Sequence, residues 1–211
     1  GHLLNRLAFV PMKRSSKPKE ARMNMPQPEN PQSPSKRLST AKKVVLGLML
    51  IPILLLVLGS LLPREYSVQR TVFIPADAEM IHESVVDLRV WPEWTPWNSQ
   101  LDPTLVYTYE GGEPGVGFRS RWTGESAGKG TLEITSAEKG RGIVYVMEFE
   151  GFPPLDGVID IRAMKGGSTI MWKMSGELEP PLGGWLSMTM DSALGADMEK
   201  ALAGLEKRFT P

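Results

Sequence analysis

Arg70 poses the sharpest chemical question in this sequence. It falls with Val68, Val72 and Ile74 on the apolar side of an alternating segment, Tyr66 to Ile74. A guanidinium there is costly unless it is paired, so the position predicts either a clamp for an anionic head group or an internal ion pair. The indoles of Trp91, Trp94, Trp97, Trp122 and Trp172 each combine a large apolar surface with a single donor. Such side chains line pockets for apolar molecules and also pack cores, and Trp91 is assigned to the core. Met147, Met174, Met188 and Met190 add adaptable filling that suits either role.

The remaining reactive types are poorly placed for catalysis. His82 has no neighbouring His or Cys to share a metal and no Ser set by a motif for a triad, so it reads as an exposed residue of a short helix. Glu79, Glu83 and Asp87 recur every four residues, the spacing of a solvated acidic stripe on a helix. The glycines from Gly111 to Gly117 end strands and begin no helix, which speaks against a phosphate loop. The chain has no cysteine, so disulfides, thiol catalysis and thiolate metal sites are excluded, and no cofactor or metal is expected.

The elements that must position these residues fall into three parts. Val44 to Leu62, VVLGLMLIPILLLVLGSLL, is uncharged throughout. At about 1.5 Å of rise per residue it extends about 28 Å, close to the hydrocarbon thickness of a bilayer, and is expected to span it as a helix. Its apolar core is longer than that of a cleaved signal peptide, although Gly59 and Ser60 are small enough to serve as a cleavage site. A helix uncharged over this length is rare in soluble domains, and it lacks the polar face of an interfacial helix. Pro52 predicts a mild kink, and there is no GxxxG pattern.

Residues 1–43 hold ten Lys and Arg against Glu20 and Glu29, with six prolines and no periodicity, and are expected to be a disordered basic tail. The true start could be Gly1, Met12 or Met23. Lys36, Arg37, Lys42 and Lys43 precede the apolar run, while Arg64 and Glu65 follow it. The positive-inside rule then keeps the tail cytoplasmic and the C-terminal domain extracytoplasmic. Beyond the tail the chain carries 14 basic and 22 acidic side chains, so the domain is acidic and unsuited to nucleic acid.

A folded domain is expected over 66–209. After the strand Tyr66 to Ile74, Asp77 is a plausible N-cap for a short helix burying Ile81 and Val85, and Trp91 to Trp97 forms a second helical turn. Six strands between Thr104 and Glu177 are separated by Gly- or Pro-rich turns, an antiparallel meander. Alternation puts Leu105, Tyr107, Tyr109, Phe118, Trp122, Leu132, Ile134, Tyr145, Met147, Phe149, Ile159, Ile161, Ile170, Trp172 and Met174 on the covered face. The cover is a helix over about Leu186 to Phe209, with Met190, Leu194, Met198, Ala201, Leu202 and Leu205 at helical spacing.

This order, and several local patterns, resemble the polyketide cyclase/dehydrase (SRPBCC) branch of the START-like helix-grip superfamily. The patterns are Val72-x-Ile74-Pro75-Ala76, Asp87 with Trp91-Pro92-x-Trp94-x-Pro96-Trp97, Tyr109-Glu110-Gly111, Gly128-Lys129-Gly130, Gly167-Ser168-Thr169-x-x-Trp172, and Gly195-x-Asp197-Met198-Glu199-x-x-Leu202. The likeness covers about Tyr66 to Phe209, with Met198 and Ser168 departing from the usual residues. It implies an α+β fold in which a curved seven-stranded antiparallel sheet wraps the long C-terminal helix, with a deep apolar cavity between them. Ligand-binding candidates are Arg70, Trp94, Trp97, Tyr109, Phe118, Trp122, Tyr145, Met147, Trp172 and Met190. The expected function is a membrane-anchored module binding a hydrophobic or lipid-like molecule. The alternatives are a cyclase- or hydrolase-type enzyme on an apolar substrate and a ligand-free interaction or stress-response domain.

Overall fold

The chain leaves its apolar helix and enters the sheet within three residues. The computed structural model describes residues 39–210, so the expectation for the basic tail lies outside the described residues up to position 38. Helix α1 runs Thr40–Leu61 and contains Pro52. It starts four residues before the apolar run, because Thr40 to Lys43 carry no helix breaker and long Lys stems can reach away from an apolar segment. Among its residues only Gly59 is buried.

Seven antiparallel strands follow: β1 (Glu65–Ile74), β2 (Val106–Glu110), β3 (Arg119–Gly124), β4 (Gly128–Glu138), β5 (Gly142–Phe149), β6 (Leu155–Met164) and β7 (Gly167–Glu177). Their order across the sheet is β1-β7-β6-β5-β4-β3-β2. Consecutive strands pair as a meander, and β1 closes onto β7 with Glu65 opposite Glu177 and Arg70 opposite Trp172. A register shift between Ile134 and Ser136 inserts a bulge into β4, which bends that strand and strengthens the local twist. The outer face is wet and carries cross-strand ion pairs such as Arg119 with Glu133 and Arg121 with Glu110.

Between β1 and β2 lie α2 (Ala78–Val86), a 3₁₀ turn (Leu88–Val90) and the single turn α3 (Trp91–Trp94). Asp77 occupies the N-cap position of α2, but its side chain makes no capping bond, a correction to the expected cap. Asp87 does cap, accepting from the Arg89 backbone at the 3₁₀ turn. The helix expected over Leu186 to Phe209 is two helices, α4 (Gly183–Ser187) and α5 (Met190–Phe209). At the break the Ser187 hydroxyl donates to the Pro63 carbonyl at 2.7 Å, tying α4 to the link between α1 and β1.

Helix α5 buries Met198, Ala201, Leu202 and Leu205 and packs along β1 and against α3. Gly204 permits the close approach to α3, since a Cβ there would collide with the Trp94 carbonyl. The result is the helix-grip arrangement, a curved antiparallel sheet closed by the C-terminal helix.

Candidate ligand-binding cavity

A cavity of about 260 Å³ opens between the β2–β5 half of the sheet and the Leu88–Leu101 segment. Its walls are Leu88, Trp91, Thr95, Trp97 and Leu101 on one side and Tyr107, Ser120, Trp122, Leu132, Met147 and Phe149 on the other, with Ser126 and Ala127 at one end. Leu88, Leu132 and Met147 are buried, whereas Leu101 is 56% exposed, which sets the inner and outer ends. The cavity does not lie beneath α5, a correction to the expected position between sheet and C-terminal helix. The physical reason is the indole cluster: Trp172 meets Trp91, Trp94 and Trp97 with ring centroids 5.8, 5.9 and 6.1 Å away, filling the space under α5.

Three indole and phenol donors of the walls are bonded to backbone carbonyls. Trp91 Nε1 donates to the Val85 carbonyl (2.9 Å), Tyr107 Oη to the Trp97 carbonyl (3.0 Å) and Trp122 Nε1 to the Ala127 carbonyl (3.4 Å). Burial pushes the Tyr107 phenol up to about 12, so it stays a neutral donor near neutral pH. The lining is therefore apolar apart from the buried hydroxyl-bearing residues Thr95 and Ser120 and the exposed Ser126. It contains no carboxylate, imidazole, amine or guanidinium.

The outer end is held by Asp102, which is buried and accepts from Thr104 N (2.9 Å), Thr104 Oγ1 (2.6 Å), Ser126 N (2.8 Å) and Ala127 N (2.9 Å). These four bonds hold its carboxyl down at about 2, led by the Thr104 hydroxyl. Gly124 makes room for the carboxylate, which a Cβ would strike. Asp102 thus clips the approach to β2 onto the β3–β4 turn, and two cavity residues, Ser126 and Ala127, are placed by the clip.

Of the candidate residues, the structure brings Trp97, Trp122 and Met147 to the cavity wall. The others lie elsewhere. Tyr145 and Trp172 are fully buried and paired, with Trp172 Nε1 donating to Tyr145 Oη at 2.8 Å. Tyr109 stacks between Tyr107 and Phe118, and the Arg89 guanidinium covers the Phe118 ring at 5.6 Å. Trp94 joins the indole cluster and Met190 sits at the start of α5. Arg70 takes the ion-pair alternative: its Nε donates to Glu199 (2.6 Å) and its Nη1 to Asp191 (2.9 Å), both on α5. Gly195 leaves space for that guanidinium, and the two carboxylates raise its already high pKa.

Trp91, expected only as core, belongs both to the core and to the wall. His82, expected to be exposed, is buried at 7% exposure with Nδ1 lacking a partner, and it lies outside the cavity. Leu88, Thr95, Leu101, Ser126 and Ala127 escape strand-pattern reasoning because they come from turns and connections. Ser120 does carry a signal, a small residue at an inward position between Phe118 and Trp122.

Strand register locates the outer end. Tyr66, just past α1, pairs with Gly176, and successive partners lead through Leu155 and Met147 to Leu132. Toward the end at which β1 begins, β4 continues past Leu132 to Gly130 and Gly128, where Trp122 and the β3–β4 turn lie. The cavity mouth is thus at the end of the sheet where α1 joins.

Solved structures share this fold at low identity. Protein CV1439 from Chromobacterium violaceum matches with TM-score 0.51 and 14% identity, covering 69% of this chain and 97% of that one. Ara h 8.0201 matches with TM-score 0.51 and 16% identity over 69% and 97% of the two chains. The di-domain ARO/CYC StfQ from the steffimycin biosynthetic pathway gives TM-score 0.54 at 14% identity, covering 69% of this chain and 50% of that one. No curated protein matches the sequence. The family model described as polyketide cyclase / dehydrase and lipid transport matches residues 65–210, the whole sheet with its helices, and the chain belongs to that family.

Proposed function

We propose that this protein is a single-pass membrane-anchored binding module whose cavity takes up a small apolar or amphipathic molecule at the bilayer surface. The observation that carries the reading is the apolar cavity whose mouth faces the end of the sheet from which α1 departs. Helix α1 is the one described helix long and apolar enough to cross a membrane, and its Val, Leu, Ile and Met side chains are exposed all round. An apolar surface of that kind calls for lipid as its solvent. The lining holds no carboxylate, imidazole or amine, and its phenol, Tyr107, stays neutral and bonded to the Trp97 carbonyl, which favours holding a molecule over acid–base chemistry.

The cavity's size narrows the ligand. An apolar cavity of about 150 Å³ accommodates benzene, so 260 Å³ suits on the order of ten non-hydrogen atoms, a two-ring compound or a short acyl segment. The test is fluorescence titration of the full chain in detergent with 1-aminonaphthalene, alongside Ala127→Phe, which fills the mouth from a half-buried position. Saturable binding that drops at least tenfold in the variant, with the circular dichroism spectrum intact, is expected. Equal binding by both proteins, or none by either, rejects the cavity as the site.

A further inference from the structure

We propose that α4 and its flanks, Leu182 to Met188, form a second membrane contact, a wedge seated in the lipid interface beside the end of α1. Four large apolar side chains are exposed within seven residues: Leu182 (54%), Trp185 (38%), Leu186 (46%) and Met188 (70%). No charged residue occurs from Pro180 to Met190. In water this would be an unexplained apolar patch.

Contacts with α1 say what covers it. Trp185 Nε1 donates to the Leu55 carbonyl at 3.0 Å, and the Ser187 hydroxyl reaches the Pro63 carbonyl at 2.7 Å. The two segments approach so closely that a Cβ on Gly59 would meet the Trp185 ring and Pro181, and a Cβ on Gly184 would strike the Gly59 carbonyl. Leu55 lies six residues before the end of α1 at Leu61, or about 9 Å along the helix axis. If α1 fills the hydrocarbon layer, α4 cannot rest above the membrane; its indole reaches below the headgroup level, where its donor is satisfied by the Leu55 carbonyl.

The polar groups of the wedge are arranged for that environment. Backbone bonds run from Gly183 to Glu179, from Trp185 and Leu186 to Leu182, and from Thr189 to Leu186. The Thr189 hydroxyl turns back on the Leu186 carbonyl, and the Ser187 hydroxyl also reaches Gly184. Hydrogen-bonded polar groups beside outward apolar side chains are the pattern that lipid demands. Charges resume at its borders, in the Arg64–Glu177 pair at 2.7 Å and in Asp191 paired with Arg70.

This inference rests on the anchoring of α1, and the test separates the two. The chain has no cysteine, so spin labels can be placed singly at Leu186→Cys, Met188→Cys, Leu54→Cys and Val116→Cys in the full chain, reconstituted in phosphatidylcholine vesicles. Val116, 65% exposed on the β2–β3 connection, is the aqueous reference. The expected result is several-fold lower accessibility to a polar nickel relaxant, with higher accessibility to oxygen, at positions 186, 188 and 54 relative to 116. Aqueous labels at both 186 and 188 with a lipid-buried label at 54 overturn the wedge and leave the anchor standing. An aqueous label at 54 overturns the anchor and the wedge with it.

Discussion

The pair Tyr145 and Trp172 shows how single atoms hold this core. Both side chains are fully buried, and Trp172 Nε1 has the Tyr145 hydroxyl as its acceptor at 2.8 Å. Gly157 lies opposite Tyr145 in the register because a Cβ there would enter the phenol ring. Tyr145→Phe removes the acceptor and strands a buried donor, so it should cost about 1–3 kcal/mol, read as a lower urea midpoint at unchanged slope. His82 is buried without a partner for Nδ1, and burial lowers its pKa, with Glu83 raising it and Lys139 lowering it. A depressed folded pKa means that the unfolded chain binds the proton more readily. Its contribution is therefore present above the unfolded value of about 6.5 and is lost as pH falls below it. The melting temperature of the native protein should drop from pH 7 to pH 5 more steeply than that of His82→Gln. Arg70 was legible as a residue needing a partner, but not which partner, because Asp191 and Glu199 lie more than 120 positions away. Arg70→Met should leave 1-aminonaphthalene binding unchanged in the same titration, since the guanidinium lies outside the cavity wall.

At the scale of elements, the cavity depends on two pieces that strand periodicity does not reveal. The first is the Asp102 clip, whose carboxylate gathers two turn amides and Thr104. Asp102→Asn should loosen the turn and speed amide hydrogen exchange at Ser126 and Ala127 while leaving β6 and β7 protected. The carboxyl lies at about 2, below its ordinary value of about 3.9, so its stabilisation holds above pH 4 and fades as pH falls toward 2. The second is the pairing of Trp122 with Gly130, where a Cβ would occupy the place of the indole. Gly130→Ala collides with both the Trp122 ring and the Glu148 carbonyl and should lower both stability and probe binding. The strands themselves were legible because inward Phe, Trp, Tyr and Ile alternate with outward Arg and Glu. The division of the C-terminal helix was not, since Ser187, Met188 and Thr189 include neither Pro nor Gly and the break coincides with a bond to the link after α1.

For the whole molecule, the net charge of zero conceals a basic tail joined through the uncharged run Val44 to Leu62 to an acidic domain. The fold of that domain was legible in order and topology, while the cavity's place was not, because it depends on how α3 and the indoles crowd α5 away from β2–β5. The orientation we propose, with the tail cytoplasmic, rests on the charge asymmetry: Lys36, Arg37, Lys42 and Lys43 stand before the apolar run and Arg64 alone follows closely. Keeping cationic side chains on the cytoplasmic side sets the direction of insertion, and Asp and Glu contribute little, so the acidic domain itself does not decide it. Val116, on the exposed β2–β3 connection, reports the result once changed to Cys in this cysteine-free chain. An impermeant maleimide should label Val116→Cys in intact cells whose outer layers admit the reagent. Replacing the four cationic residues by Gln should reduce that labelled fraction, with the remainder reacting only after lysis. Labelling of the otherwise native chain only after lysis would reverse the orientation and place the cavity mouth against the cytoplasmic leaflet.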